Sequence, residues 1–409
     1  MKFNKWTVSL AAIGVVSLAS AARADEKMSP VQTALSNTTL SGYVDVGATW
    51  RPGTDSGPYG GPNIPGYAFS KNDGFSLNAV DIALDKPMDE SPWASGYHVE
   101  LMFGPDSVPA QNNAFGGAGA GEGFGSIRQA YVTLRTPVGN GIDWKVGVFD
   151  TIIGYESSSC PLNPNYTRSY GYTIEPTTHT GILATYKVCD VLSMSAGVAN
   201  SANNAGILSH PPVNGTAIYE SQKTYLGSIT LTAPDSFGPM KGATLNLGII
   251  GSIDSSINAG YGGTGDITSY YAGLTLPTPS SKVKLGAAFD YLNYNDRSGA
   301  NRNDDSIWVA GVYGTFQATD KLSLNLRGEI VDAKQIGATV DPLNVPYAGH
   351  YAGEITATVQ YQLWANVLSR VEFRWDHVDA NAFGYTQPIF GTPMKKNDLL
   401  LALNLIYQF

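Results

Sequence analysis

The 409 residues carry 25 Lys and Arg against 34 Asp and Glu, a formal charge of −9, with 46 Gly, 23 Tyr and only 14% charged residues. That balance favours strand and turn formers over helix formers and points to an all-β protein. The acidity argues against nucleic acid as a partner, since phosphate binding rests on Lys and Arg, and two cysteines are too few to staple a chain of this length.

The chain opens MKFNKWTVSLAAIGVVSLASAARADEK, with Lys2 and Lys5 ahead of an apolar run and a small-residue segment ending at Ala24. This is the pattern of a secretory signal peptide over residues 1–24. Its removal takes three cations, Lys2, Lys5 and Arg23, and moves the charge from −9 to −12. Residues 25–38 are then a short periplasmic segment. No later stretch approaches the ~20 consecutive apolar residues of a spanning helix.

From residue 39 onward period-2 alternation recurs in segments near ten residues or longer, the length that crosses a bilayer at a tilt. Sixteen strands are expected: 39–51, 73–86, 94–103, 125–136, 142–150, 178–188, 190–200, 221–233, 242–254, 265–277, 281–294, 304–318, 320–332, 349–363, 366–379 and 397–409. The second has an ambiguous phase near Ala79, as a β-bulge would give. Near the C-terminus, Val371, Phe373 and Trp375 alternate with Arg370, Glu372, Arg374 and Asp376. In the last strand Leu399, Leu401, Leu403, Leu405, Tyr407 and Phe409 form one apolar face.

Short turns such as 188–190, 277–281 and 318–320 alternate with long connections such as 51–73, 103–125 and 150–178. Short turns at one end and long loops at the other are the signature of a closed antiparallel transmembrane β-barrel of the bacterial outer membrane. In lipid every backbone N–H and C=O must be paired internally, and closure leaves no sheet edge. The terminal Phe409 resembles the signal read by the barrel-assembly machinery.

Sixteen strands leave an aqueous interior, whereas about eight are filled by side chains. The expected inward positions are polar, as water requires. They include the pore-wall candidates Asp45, Glu100, Lys145, Arg327, Glu329, Arg370, Glu372, Arg374 and Asp376. With Asp81, Asp85, Asp143, Asp290, Glu354 and Lys284 they make an acidic excess and a weak lean toward cations.

One stretch departs from the alternation. NPNYTRSYGYTIEPTTHTG, residues 163–181, is polar, aromatic and turn-rich, and reads as neither helix nor linker. It ends the longest connection, 150–178. Tyrosines for rigid packing, prolines that limit conformation and a few charges suit a loop ordered inside the lumen. The constriction candidates are Glu156, Tyr166, Arg168, Tyr170, Glu175 and His179. An external antigenic loop is the competing reading.

The same stretch, with GYE at Gly154–Glu156 and SGYVD at Ser41–Asp45, resembles the OmpL-like β-barrel porin family. The resemblance implies a passive diffusion channel for small hydrophilic solutes or ions, with the third long loop folded into the lumen. It also implies contact with outer-membrane lipid and lipopolysaccharide, and leaves a homotrimer open. No cofactor or metal is expected. An adhesion or scaffold barrel, or a barrel hydrolase, remains as the alternative.

Other signals carry less. GGAGAGEGFG, 116–125, precedes a strand and not the helix a phosphate cradle needs. The acidic run 293–306 lacks EF-hand spacing. Cys160 and Cys189 fall near opposite rims, which predicts no disulfide between them.

Overall fold

The computed structural model describes residues 37–52, 73–110, 127–200, 213–214, 223–258, 263–296, 304–333, 351–379 and 395–409. The expected signal peptide, residues 25–36 and the glycine-rich run 116–125 lie outside them, as does part of the run 293–306.

Sixteen long strands follow one another: β1 Thr39–Trp50, β2 Gly74–Lys86, β3 Ser95–Phe103, β4 Ile127–Thr136, β5 Ile142–Asp150, β6 Thr178–Lys187, β7 Leu192–Asn200 and β8 Lys223–Thr232. The second half holds β9 Thr244–Asn258, β10 Gly263–Pro277, β11 Val283–Asp296, β12 Asp304–Gln317, β13 Leu322–Ala333, β14 Tyr351–Trp364, β15 Val367–Val378 and β16 Asn397–Gln408. Each is antiparallel to its neighbours, and β16 returns to pair with β1 from Tyr43–Gln408 to Trp50–Leu401, so the sheet closes. The seam is tied at its end by Gly42 and Phe409, whose backbones exchange hydrogen bonds of 3.1 and 3.0 Å. A two-residue bridge, Val213–Asn214, lies parallel to the start of β6.

The alternation is inside-out relative to a soluble protein. Leu399, Leu401, Leu403, Leu405 and Tyr407 of β16 are exposed, while Leu400, Ala402, Asn404 and Ile406 are buried. On β15, Val371, Phe373 and Trp375 face outward, and Arg370, Glu372, Arg374 and Asp376 are buried. A one-residue slip of β15 would turn those four charges to lipid, at roughly 2–4 kcal/mol for each midplane Arg. The register is thereby fixed.

Among the register shifts of the sheet, two bulges change which polar residues face the interior. Between β1 and β2 the pairing passes from Asp45–Ala79 to Val46–Leu77, leaving Asn78 as the extra residue. Between β3 and β4 it passes from Glu100–Gln129 to Leu101–Ile127, leaving Arg128. Each bulge adds a polar side chain to the buried inner set, for Asn78 and Arg128 are both buried.

Candidate pore constriction

The connection from β5 to β6, residues 151–177, is pinned at its base. Thr151 N–H donates to Thr177 O at 2.9 Å, and His179 Nε2 lies 3.0 Å from Thr151 Oγ1. Between these ends the segment lies against the inner wall along two seams of opposite character.

The first seam is apolar. Ile152, Ile153 and Tyr155 pack onto Phe149, Leu183, Leu226, Ile250, Tyr271 and Tyr313, which β5, β6, β8, β9, β10 and β12 present to the interior. The expectation that inward positions are uniformly polar fails here, because the loop excludes water from this sector and apolar burial becomes favourable. Glycines open the sockets: a Cβ on Gly248 would collide with Ile153, and one on Gly286 with the Tyr155 hydroxyl. Tyr155 stacks on Tyr313 with ring centroids 4.0 Å apart.

The second seam is charged. Arg327 of β13 donates to Glu156 Oε1 at 2.7 Å, to Thr167 O at 2.7 Å and to Glu354 Oε1 at 2.7 Å. Arg374 donates to Arg168 O at 2.6 Å, and Arg370 to Asn163 O at 2.5 Å and Cys160 O at 3.2 Å. Wall carboxylates accept from the loop backbone in turn. Glu372 takes the N–H groups of Tyr166 and Thr167 at 2.5 and 2.8 Å, and Glu329 takes those of Tyr170 and Gly171 at 2.6 and 3.3 Å. Tyr170 OH donates to Asp376 at 2.8 Å, and Asn78 links Tyr166 OH to Asp45. Charge-assisted bonds of this kind are about twice as strong as neutral ones, and here water does not compete for them.

Within the stretch expected to hold no helix, Tyr170–Ile174 forms one short α-helix, α1. Five residues are too few to leave a periodic signal. Its leading N–H groups are satisfied from outside, because Ser169 Oγ accepts from Tyr172 N–H at 2.9 Å and Glu329 accepts the two before it.

The structure therefore brings Glu156, Tyr166, Arg168, Tyr170 and Glu175 together with Asp45, Arg327, Glu329, Arg370, Glu372, Arg374 and Asp376. Glu100 and Lys145 stand elsewhere, on the β3–β5 wall, where Lys145 lies 4.8 Å over the Tyr131 ring. His179 belongs to the loop base. Arg168 and Glu175, two of the constriction candidates, are both buried. Arg168 folds back to Ser158 O at 3.0 Å and over the Tyr172 ring. Glu175 closes over Gly154 and shares a hydrogen bond with Asp290; burial, then the Asp290 charge, pushes its carboxyl well above the usual range. Cys160 is a free, buried thiol that burial pushes up to about 12. Sequence reading missed Asn78 and Arg128, because strict parity assigns a bulged residue to the wrong face, and it missed the apolar seam.

A closed sixteen-stranded barrel with an apolar outer face, a charged inner wall and a loop fastened across that wall is the architecture of an outer-membrane porin. The family model described as "Putative beta-barrel porin-2, OmpL-like" matches residues 37–409, and the chain belongs to that family. It is an integral outer-membrane β-barrel. Solved structures of the same fold include an anion-selective porin from Comamonas acidovorans (12% identity, TM-score 0.58, 91% of this chain and 99% of that one). OmpF of Salmonella typhi, in complex with daunomycin, matches at 14% identity and TM-score 0.57, over 91% and 97%. OmpT of Vibrio cholerae, described in a trimer form, matches at 13% and 0.56, over 91% and 99%. No curated protein matches.

Proposed function

We propose that this barrel is a passive, water-filled channel for small hydrophilic solutes or ions, and that residues 151–177 are its constriction. The observation that carries the reading is the double fastening of that segment. A loop held by an apolar seam on one side and by Arg327, Arg370 and Arg374 on the other occupies part of the lumen permanently and narrows what is left. Transport through such a pore needs no nucleophile, metal or cofactor, only steric filtering and the field of fixed charges.

A weak preference for cations belongs to the same reading, from the excess of carboxylates over cations on the inner wall. The fold does not set this sign, because a neighbour with the same fold is described as anion-selective. Assembly as a homotrimer, contact with lipopolysaccharide and recognition of Phe409 by the assembly machinery are part of the proposal. Purified protein in planar bilayers tests it: stepwise conductance is expected. An absence of steps from protein that shifts on heating in gels, as folded barrels do, would turn the assignment toward an adhesion or scaffold barrel.

A further inference from the structure

The loop spends its charges on its own anchorage. Glu156 is taken by Arg327, Arg168 by loop carbonyls, and Glu175 by Asp290. The charges that meet a solute must then lie elsewhere. On the wall of β2–β5 a continuous ladder of polar contacts runs from Asp85 to His98 (3.1 Å), to Glu100 (3.3 Å), to Arg128 (2.5 Å) and to Asp150 (2.6 Å). The rungs are unequal in exposure. Glu100 and Arg128 are buried, whereas the end carboxylates Asp85 and Asp150 keep side-chain exposures of 37% and 38%. Their hydrogen bonds to the ladder run through Oδ1 alone. Asp150 is held by buried Arg128 and Asp85 by part-buried His98. A carboxylate anchored in this way but more than a third open to water loses little order when an ion passes, and its field reaches that ion through water.

We propose that the charge selectivity of the pore is set by this wall, through Asp85 and Asp150 as successive contact points for permeating cations, and not by the loop. Lys145 is the opposing charge on the same wall, and the Arg135–Asp143 pair, 2.7 Å apart, largely cancels itself. The bulge at Arg128 is what makes the ladder possible, because it turns inward a guanidinium that bridges Glu100 and Asp150.

The inference rests on the channel reading, and the test separates the two. Reversal potentials are measured in bilayers under a KCl gradient for the unaltered protein, for Asp85→Asn with Asp150→Asn, and for Lys145→Gln. The cation-to-anion permeability ratio is expected to fall about threefold in the double variant and to rise in Lys145→Gln. An unchanged ratio in conducting channels of the double variant overturns the wall assignment and leaves the channel intact, whereas absent conductance in the unaltered protein defeats the channel itself. Access is checked independently with Asp85→Cys in a Cys189→Ser background, folding being confirmed by heat-shifted mobility in gels. Block of current by a cationic thiol reagent added to the bath supports the placement, and failure of that reagent to react contradicts it.

Discussion

Arg327 Nη1 and Glu156 Oε1 meet at 2.7 Å between barrel wall and loop, with side-chain exposures of 0% and 1%. The guanidinium also holds Glu354 and the backbone oxygens of Thr167 and Arg168, so one side chain ties two wall strands to three positions of the loop. Removing one partner of a buried pair leaves the other charge stranded, at about 3–5 kcal/mol. Arg327→Met is therefore expected to release the loop while leaving the barrel closed. Single-channel conductance should rise and fluctuate, and trypsin should gain access to Arg168. Arg327→Lys keeps the charge but not the planar fork, so its effect should be intermediate.

Gly286 tests the apolar seam independently of charge. A side chain there displaces the Tyr155 hydroxyl and breaks the stacking on Tyr313. Gly286→Val is expected to destabilise the loop by about 1–3 kcal/mol, the usual scale of overpacking. The ring atoms Cζ and Cε2 would also collide with the added Cβ, so Tyr155→Ala, which removes all of the colliding atoms, should restore part of the loss, which a double-mutant cycle read by loop proteolysis would detect.

Much of the architecture was legible because the bilayer imposes a strict period. In β15 the sequence alternates Arg370, Glu372, Arg374 with Val371, Phe373, Trp375, and nothing but a sheet between lipid and a polar interior satisfies both faces. Where a second layer covers the wall, the period loses meaning. Leu226 and Ile250 are apolar because Ile153 and its neighbours shield them from water, and sequence cannot distinguish shielding by a loop from shielding by lipid. The loop residues were identifiable as a group from their Tyr, Pro and charge content. Their orientation was not, since the wall partners of Glu156, Tyr166 and Tyr170 lie 88 to 206 residues away.

The two cysteines report sidedness and loop closure together. Cys189, exposed in the turn between β6 and β7, should react readily with a maleimide, whereas buried Cys160, its thiol raised to about 12, should not. One equivalent is expected with folded protein and two after unfolding. In intact cells an impermeant reagent should label neither. Labelling of Cys160 in folded protein would show that the loop leaves the wall.

Glu175 gives the loop a pH dependence of definite sign. Burial and the neighbouring Asp290 raise its carboxyl above the ordinary 4.5, so the folded state binds the proton more tightly than the unfolded state. The contribution to stability is full below 4.5 and is lost as pH rises from 4.5 through the raised value. Glu175→Gln supplies a permanent neutral donor in the same shape. Its unfolding temperature in detergent should exceed that of the unaltered protein by a few degrees at pH 8 and by little at pH 4. Equal shifts at both pH values would mean that the carboxyl is not carrying the shared proton, and that Asp290 holds it instead.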